Sequence, residues 1–300
     1  MKNQMSHRLS GNGFAFASMV LWSTALPATE VLLQSWHPLA ISVGRLVLGG
    51  VALTCALVVM GRTREIRHAP WKDIFYIGGL GLGGATIFLN WGLVFSNPTT
   101  AAIILTSMPA VALVFGVIRG EERVSIRLLT GIGLALIGGA WASLSGRADI
   151  IGLEGGEFAI LLSVIFFVWY SRAAVRRLSM LSATAKSGLT LSMGGVVVGG
   201  VVIASQLLGV ETVNFETSPI SMALILWIAC ICNGFAMILW LTGVERIGMV
   251  ITSIHMNMVP FYVMLCVLAL GGTVSFGQTS GALLVVIGVV ISQWQHTKND

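Results

Sequence analysis

Polar side chains stand inside stretches of this chain that are otherwise almost wholly apolar. They include the asparagines Asn90, Asn233 and Asn257, the histidine His255 and the arginine Arg45. An amide binds ligands by hydrogen bonds, an imidazole exchanges a proton near neutral pH, and a guanidinium holds a carboxylate through two parallel hydrogen bonds. The chemistry that these groups offer is therefore recognition and proton binding.

Patterns that are typical of catalysis are missing from the same stretches. The sequence has no HExxH and no GxSxG motif, and no aspartate or glutamate lies near the middle of an apolar stretch. Hydrolysis inside a membrane needs such a constellation, so we do not predict an enzyme. The cysteines lie in apolar runs, and Cys230 and Cys232 are too close for the usual zinc spacing. We expect no metal, no disulfide and no cofactor.

Composition assigns the chain to a membrane. Apolar residues make up 56% of its 300 residues and charged residues only 10%, whereas a soluble domain has about 25% charged residues. The mean hydropathy is +0.90. So few charges do not cover a water-facing surface of this size. We therefore expect a lipid bilayer and a small-molecule substrate as partners, and no nucleic acid, in spite of the net charge of +5.

Ten apolar stretches are each long enough to cross a bilayer, which takes about 20 helical residues. They cover residues 12–33, 38–60, 72–95, 99–118, 125–145, 155–176, 183–208, 219–242, 249–270 and 276–294. The connecting segments alternate in charge, and 15 of the 17 basic residues fall on the side that carries both termini. Because basic segments stay in the cytoplasm, we predict an inner-membrane, multi-pass protein with both termini cytoplasmic, functional as a monomer.

The second half of the chain weakly repeats the first half. Gly131 falls on Gly281, and Gly138 on Gly288, at an offset of 150 residues. The predicted repeats are residues 1–147 and 148–300. Since each repeat contains five spans, an odd number, the second repeat enters the membrane from the opposite face. The predicted fold is an all-α membrane protein of ten transmembrane helices in two inverted five-helix repeats.

Several motifs, taken in order, resemble the EamA repeat of the drug/metabolite transporter (DMT) superfamily. They are LWSTALPATE in the first span, HPLAISVGR in the second, LTSMP in the fourth, and RGEERVSIRLLTGIGLALIGG leading into the fifth. The second copy departs from the pattern, because Thr190 stands where Arg45 aligns and Gly272–Thr273 replaces the glutamates of the turn. The early LWST and the nine tryptophans are similar to the YddG-type exporters of aromatic and other neutral amino acids.

This resemblance implies a secondary transporter of small metabolites, commonly an exporter, that works by alternating access. The lack of acids near the middle of the spans favours a neutral or zwitterionic solute, such as an aromatic or neutral amino acid. Two alternatives stay open. One is an exporter of another small metabolite or drug, and the other is a gated, channel-like facilitator with the same polar lining.

Candidate residues for a substrate cavity are polar or aromatic and lie within the spans. Asn90 shares a helical stripe with Thr86, and Trp22 and Trp169 hold equivalent places in the first span of each repeat. The predicted set is Trp22, Thr86, Asn90, Thr106, Trp169, Tyr170, Asn233, Trp240, His255, Asn257 and Tyr262. For any single member, an interhelical hydrogen bond worth about 0.6 kcal/mol is the alternative role.

Two prolines, one arginine and one histidine complete the predictions. Pro109 and Pro260 each remove a backbone donor from a span, and we expect paired hinges there, with a static kink as the alternative. Arg45 can hold a substrate carboxylate, but an arginine that snorkels or pairs with Glu30 is the favoured interpretation. His255 is the candidate proton carrier, with ordinary core packing as the alternative.

Overall fold

The computed structural model describes residues 2–96, 98–145, 155–210, 212–259, 261–262, 268 and 275–293. Its helices are α1 Lys2–Leu32, α2 Pro38–Val59, α3 Trp71–Val94, α4 in two pieces Pro98–Thr106 and Met108–Ile118, α5 Ile126–Ser145, α6 Glu157–Arg177, α7 Ala183–Leu207, α8 Pro219–Ile247, α9 Met249–Ile254 and α10 Phe276–Gln293. A short helix, Thr63–Arg67, lies between α2 and α3, and α9 continues as a 3-10 turn, His255–Met258. Pro260 and Cys266 lie outside the described residues.

Six of these helices are long and apolar enough to cross a membrane. They are Ser6–Leu32 within α1, and the whole of α2, α3, α6, α7 and α8. Three further apolar helices are shorter: Met108–Ile118, Ile126–Trp141 and Phe276–Ser292. The prediction of an all-α membrane protein is confirmed, and the six long helices coincide with six predicted spans. For α4, α5, α9 and α10 a full crossing stays a prediction.

The ends of the helices follow from ordinary capping chemistry. Ser182 caps α7, since its Oγ accepts the N–H of Ala185 at 3.2 Å. Pro219 stands in the first turn of α8, where a missing N–H costs no helical hydrogen bond. Gly248, with φ of +81°, ends α8, and this positive φ lets α9 begin at the next residue in a new direction.

Helices α2 and α7 form an antiparallel pair in which glycines let the two backbones approach closely. A Cβ on Gly50 would stand 2.4 Å from the backbone nitrogen of Ser192, and one on Gly195 would stand 3.0 Å from the nitrogen of Val47. These contacts are reciprocal, because Val47 and Ser192 are 145 residues apart, and so are Gly50 and Gly195. Small residues allow such approach, and close van der Waals contact stabilises helix pairs in membranes.

Helices α5 and α10 form a second antiparallel pair with the same reciprocity. A Cβ on Gly138 would stand 2.5 Å from the carbonyl oxygen of Gly281, and one on Gly288 would stand 2.5 Å from that of Gly131. The sequence offset equates Gly131 with Gly281 and Gly138 with Gly288, so the two contacts are equivalent. The glycine spacing found in the sequence corresponds here to helix packing.

The third helix of each half contains a π-helical segment of nine residues. The segments are Phe75–Gly83 in α3 and Trp227–Phe235 in α8. Each packs on a glycine of the opposite half. A Cβ on Gly49 of α2 would stand 2.5 Å from the carbonyl oxygen of Ala229, and one on Gly194 of α7 would stand 3.1 Å from that of Gly78. Such segments are rare and occur frequently at functional sites.

Helix α4 is interrupted at Ser107, two residues before Pro109. The first piece ends at Thr106, and Pro109 falls in the first turn of the second piece, where its missing N–H is tolerated. The amides of Ala110 and Val111 both donate to the carbonyl oxygen of Ser107, at 2.9 and 3.1 Å. Pro109 therefore begins a second helix piece and does not bend a continuous helix.

Candidate functional site

The first group of predicted residues surrounds α2 at Arg45, the single charged residue of that helix. Asn90 of α3 donates from Nδ2 to Oγ of Ser42 at 2.8 Å, one turn before Arg45. Asn233, in the π-helical segment of α8, donates from Nδ2 to the carbonyl oxygen of Arg45 at 3.2 Å. Two of the three predicted asparagines thus contact the same helix within one turn of its charge.

Arg45 has no counter-charge in the described part of the chain. Its Nε is fully buried and has no acceptor there, and the residue as a whole is partly exposed. The ion pairs among the described residues do not include one between Arg45 and Glu30, which was one half of the favoured interpretation from sequence. Its other half, an arginine that snorkels, stays a prediction. An uncompensated charge among membrane helices is costly. A carboxylate from a ligand would lower that cost.

A second group is a cluster of aromatic rings between α1, α6 and α8. The ring of Trp22 lies 5.3 Å from that of Trp240 and 6.2 Å from that of Phe167, measured between centroids. The ring of Phe167 lies 5.9 Å from that of Tyr170. The hydroxyl of Tyr170 is 3.0 Å from Oγ1 of Thr190 on α7. The structure therefore brings three predicted aromatic residues together as interior packing.

The third group lies where the interrupted helix α4 passes α9. Asn257 donates from Nδ2 to the carbonyl oxygen of Thr106 at 3.2 Å. The Oδ1 of Asn257 and the Oγ of Ser107 are buried without a partner among the described residues. His255 pairs through Nε2 with Oδ1 of Asn12 at 3.0 Å. Since buried polar atoms are usually hydrogen-bonded, this crossing is a candidate site for polar contacts with a ligand.

Three predicted residues lie apart from these groups. Thr86 donates to the carbonyl oxygen of Leu82 in its own helix. Tyr262 packs edge-on against Phe16, with 5.3 Å between the ring centroids. Trp169 packs against α3 and lines a cavity at the end of α6. The eleven predicted residues are thus divided among several places in the bundle.

The structure also buries a lysine that loop-charge reasoning had assigned to a connecting segment. Lys186, in the first turns of α7, is 2% exposed, and its Nζ lies 3.2 Å from Oε2 of Glu245 on α8. The residue 145 positions earlier, Ile41 of α2, is buried as well. The signal in the sequence was the position of Lys186 within the predicted span 183–208.

A cavity of about 240 Å³ lies at the end of α6 where arginines are concentrated. Its charged and aromatic lining consists of Arg119, Arg172, Arg176, Arg177, Phe115 and Trp169. Glu121, from the turn between α4 and α5, pairs with both Arg172 and Arg176. These arginines are among the basic residues that the charge pattern predicts to be cytoplasmic, and their approach to one cavity depends on the tertiary fold.

Two glutamates outside the membrane-spanning segments have shifted pKa values. Burial raises the pKa of Glu122, whose side chain packs against Gly116. Burial also acts to raise the pKa of Glu65, but the hydrogen bond from the N–H of Ser182, at 2.8 Å, and the charge of Arg62 outweigh it. The pKa of Glu65 is therefore held below its usual value. Glu65 links the turn after α2 to the start of α7.

Long apolar helices that enclose polar and charged groups are typical of a multi-pass membrane protein. The model of the EamA-like transporter family matches residues 9–144, which cover nearly all of the first predicted repeat. The first half of the chain is thus similar to the EamA-like transporters.

Individual proteins agree with this assignment. The uncharacterized transporter YyaM of Bacillus subtilis (strain 168) is 25% identical over 80% of this chain and 80% of its own length. A probable terminal-alkyne amino-acid exporter of Streptantibioticus cattleyicolor is 24% identical over 81% of this chain and 79% of its own. One solved crystal structure is similar with a TM-score of 0.81 at 20% identity, over 95% of this chain and 96% of that one. At this identity the likeness shows the fold alone.

Proposed function

We propose that this transporter exports a small zwitterionic or neutral solute, an aromatic or neutral amino acid, across the inner membrane by alternating access. The observation that carries the proposal is Arg45, a charge without an ion-pair partner among the described residues. Asn90 and Asn233 reach the same turn of α2. The carboxylate of a zwitterion would bind the guanidinium, and amide oxygens would accept from its ammonium group. The amino-acid exporter among the relatives supports this class of solute.

The proposed architecture is ten spans in two inverted repeats, with both termini in the cytoplasm. Three sets of reciprocal contacts support it, those of α2 with α7, of α5 with α10, and of the two π-helical segments with Gly49 and Gly194. An inverted two-fold axis requires every contact to have a counterpart of this kind. Such repeats suit alternating access, because each half can adopt the conformation of the other.

The crossing of α4 and α9 is the proposed place of movement. α4 is interrupted at Ser107, and α9 changes to a 3-10 turn at His255–Met258. Thr106 and Asn257, which are in contact there, are 151 residues apart, as are the proposed hinges Pro109 and Pro260. Bending at the two hinges would then open opposite faces.

The remaining predicted residues have secondary roles in this mechanism. The cluster of Trp22, Tyr170 and Trp240 forms an apolar wall of the proposed pathway. Where export is driven by protons, His255 is the proposed carrier, and its hydrogen bond to Asn12 joins α9 to α1. The protein is proposed to act as a monomer.

Counterflow in proteoliposomes tests the proposal and separates it from a channel. Vesicles loaded with unlabelled L-phenylalanine or L-leucine receive a trace of the labelled amino acid outside. We expect saturable uptake that rises above equilibrium and then decays, because a carrier exchanges solute across the membrane. Uptake of other metabolites or drugs alone would favour a different exporter. Equilibration without an overshoot would favour the channel-like facilitator.

Cysteine labelling tests the proposed orientation. In a variant whose native cysteines are replaced by serine, Glu216→Cys should react with a membrane-impermeant maleimide in intact cells, and Arg64→Cys should not. Both variants should react once the cells are permeabilised. The opposite pattern in intact cells would reverse the orientation and place the arginine-rich end of α6 outside.

A further inference from the structure

The cavity at the end of α6 is apolar on one side and cationic on the other. Phe115 and Trp169 supply aromatic surface, and every charged residue of its lining is an arginine. Asp73 lies 3.7 Å from Arg177, and Glu121 contacts Arg172 and Arg176. Glu122, whose side chain packs against Gly116, also lies close to Arg172. Three carboxylates of the described residues therefore lie near four guanidiniums, which leaves a net positive charge.

The chain itself shows what this cluster binds. The carboxylate of Glu121 is held by the guanidiniums of Arg172 and Arg176 at once, an arrangement of strong, charge-assisted hydrogen bonds. Arg172 also donates from Nη1 to the carbonyl oxygen of Ala112, at 3.4 Å. This second contact ties the guanidinium to α4 independently of Glu121. A different carboxylate would thus find Arg172 already positioned.

The ion pairs of Glu121 join two separate segments of the chain and can therefore be broken and formed again. Glu121 belongs to the turn 119–125, which joins α4 to α5, and its partners belong to α6. Arg176 is more than half exposed, with 58% of its side-chain surface accessible, whereas Arg172 and Glu121 are largely shielded, with 10% and 14% accessible. A carboxylate from outside the chain can therefore reach the ion pairs through Arg176. Exchange of one carboxylate for another keeps the shielded Arg172 paired, which matters because an unpaired buried charge is costly.

We infer that this cavity is a capture site for the carboxylate of the transported solute, and that Glu121 is its internal competitor. The inference rests on the proposed function, export of an amino acid. The solute carboxylate takes the place of Glu121 between Arg172 and Arg176, and an aromatic side chain packs against Phe115 and Trp169. Displacement of Glu121 releases the turn between α4 and α5 from α6, which couples capture to the helix that is interrupted at Ser107.

Titration of the purified protein with L-phenylalanine and with L-phenylalaninamide, which lacks the carboxylate, tests the inference. The readout is the part of the tryptophan fluorescence that disappears in Trp169→Phe. We expect L-phenylalanine to bind about ten-fold more tightly than the amide, since only the acid forms charge-assisted bonds to the guanidiniums. Equal affinity for the two ligands would overturn the inference.

Variants of the competitor and of its partner give opposite expectations. Glu121→Gln should tighten binding of L-phenylalanine about three- to ten-fold, and Arg172→Gln should weaken it about ten-fold. Glu121→Asp keeps the charge on a shorter side chain, so its affinity for L-phenylalanine should lie between those of wild type and Glu121→Gln. It replaces the glutamine variant in the test where that variant does not fold. Unchanged or weaker binding in both Glu121 variants would show that Glu121 does not compete.

Arg64→Gln is the matched control, because it removes a guanidinium from the exposed turn between α2 and α3. It should leave binding unchanged. Vesicles of phosphatidylglycerol are tested in the same way. If they change the Trp169 signal and L-phenylalanine does not, the cavity is a lipid site and the inference is overturned. Counterflow of amino acids without any Trp169 response would refute the capture site alone. A Trp169 response without any counterflow would refute the proposed function alone.

Discussion

Equivalent positions in the two halves of the chain have the same packing and different chemistry. Arg45 of α2 and Thr190 of α7 are 145 residues apart, in helices whose glycine contacts are reciprocal. Arg45 has no ion-pair partner among the described residues, whereas Thr190 contacts the hydroxyl of Tyr170 and the carbonyl oxygen of Lys186. The shared glycine contacts thus determine how these helices pack, and the side chains beside those contacts are free to differ.

Because the helix packing is shared, substitutions of equivalent glycines should lower the stability of the protein equally. Gly138→Ala and Gly288→Ala, at positions 150 residues apart, would each place a Cβ 2.5 Å from a backbone carbonyl oxygen, which cannot yield as a flexible side chain can. We expect each to lower the free energy of unfolding by about 3 kcal/mol, measured by thermal melting in detergent. Gly133→Ala, whose Cβ meets nothing within 4 Å, should melt like wild type. Clearly unequal effects at 138 and 288 would break the equivalence.

The different chemistry predicts unequal effects on ligand binding. Arg45→Gln should weaken binding of an amino acid about 10- to 100-fold, since a hydrogen bond to a charged group contributes about 1.5–3 kcal/mol. Thr190→Val, at the equivalent position, should change affinity less than about three-fold, because it removes a bond worth about 0.6 kcal/mol. Isothermal titration with both variants measures the difference. A similar loss in both would make Arg45 a packing residue.

Lys186 of α7 extends the comparison of the two halves, because the residue at the equivalent position of α2 is Ile41. Glu245→Gln leaves Lys186 without its ion-pair partner, but Glu245 is half exposed, and solvent screens the pair. We expect a loss of about 1 kcal/mol in the free energy of unfolding. The double variant Lys186→Met/Glu245→Gln should regain most of it, since methionine suits the apolar surroundings that isoleucine occupies in α2. A double variant less stable than Glu245→Gln would show that the charge is needed for another contact.

The smallest effect concerns the residues that begin α2 and α7. The N–H of His37 donates to the carbonyl oxygen of Asn214 at 3.0 Å, and the N–H of Ser182 donates to the carboxylate of Glu65 at 2.8 Å. Only the second bond depends on pH, because its acceptor is a carboxylate. Because the pKa of Glu65 is lowered in the folded protein, its contribution is complete above the ordinary pKa of about 4.3 and is lost as the pH falls through the folded value.

Wild type should therefore exceed Glu65→Gln in stability by about 0.5 kcal/mol at pH 7, and the difference should be lost as the pH falls through the folded pKa of Glu65. Thermal melting of both proteins from pH 7 downward measures it. Other acidic groups titrate alike in the two proteins and cancel from the difference. A difference that does not depend on pH would assign the effect to side-chain shape.

Helix positions could be predicted because apolar length and loop charge are local properties of the sequence. The span predicted at 38–60 is α2, Pro38–Val59, and the span at 183–208 is α7, Ala183–Leu207. The glycines of α5 and α10 could also be recognised, because their spacing recurs in both halves. The π-helical segments could not be predicted, since their altered turn accompanies close packing on Gly49 and Gly194, which are distant in sequence.

The candidate site was predictable residue by residue and not as an arrangement. Asn90 and Asn233 stood out as amides inside apolar stretches, but their contact with α2 depends on how three helices cross. Arg45 was expected to snorkel or to pair with Glu30, because Glu30 precedes and Arg45 follows the same loop. Helix rotation decides such pairing, and nothing in the spacing of the two residues specifies that rotation.

The contacts of Gly131 with Gly288 and of Gly138 with Gly281 have the form of an isologous interface, the kind found between the subunits of a symmetric dimer. In a homodimer every substitution is present twice, so an arginine at the position of Arg45 would bring a second arginine into the same bundle. One chain whose halves differ in sequence is free of that constraint and can keep a threonine at the second position. The proposed solute, an amino acid, has a charged end and a side-chain end. A single guanidinium at the level of Arg45 would hold such a molecule there in one orientation.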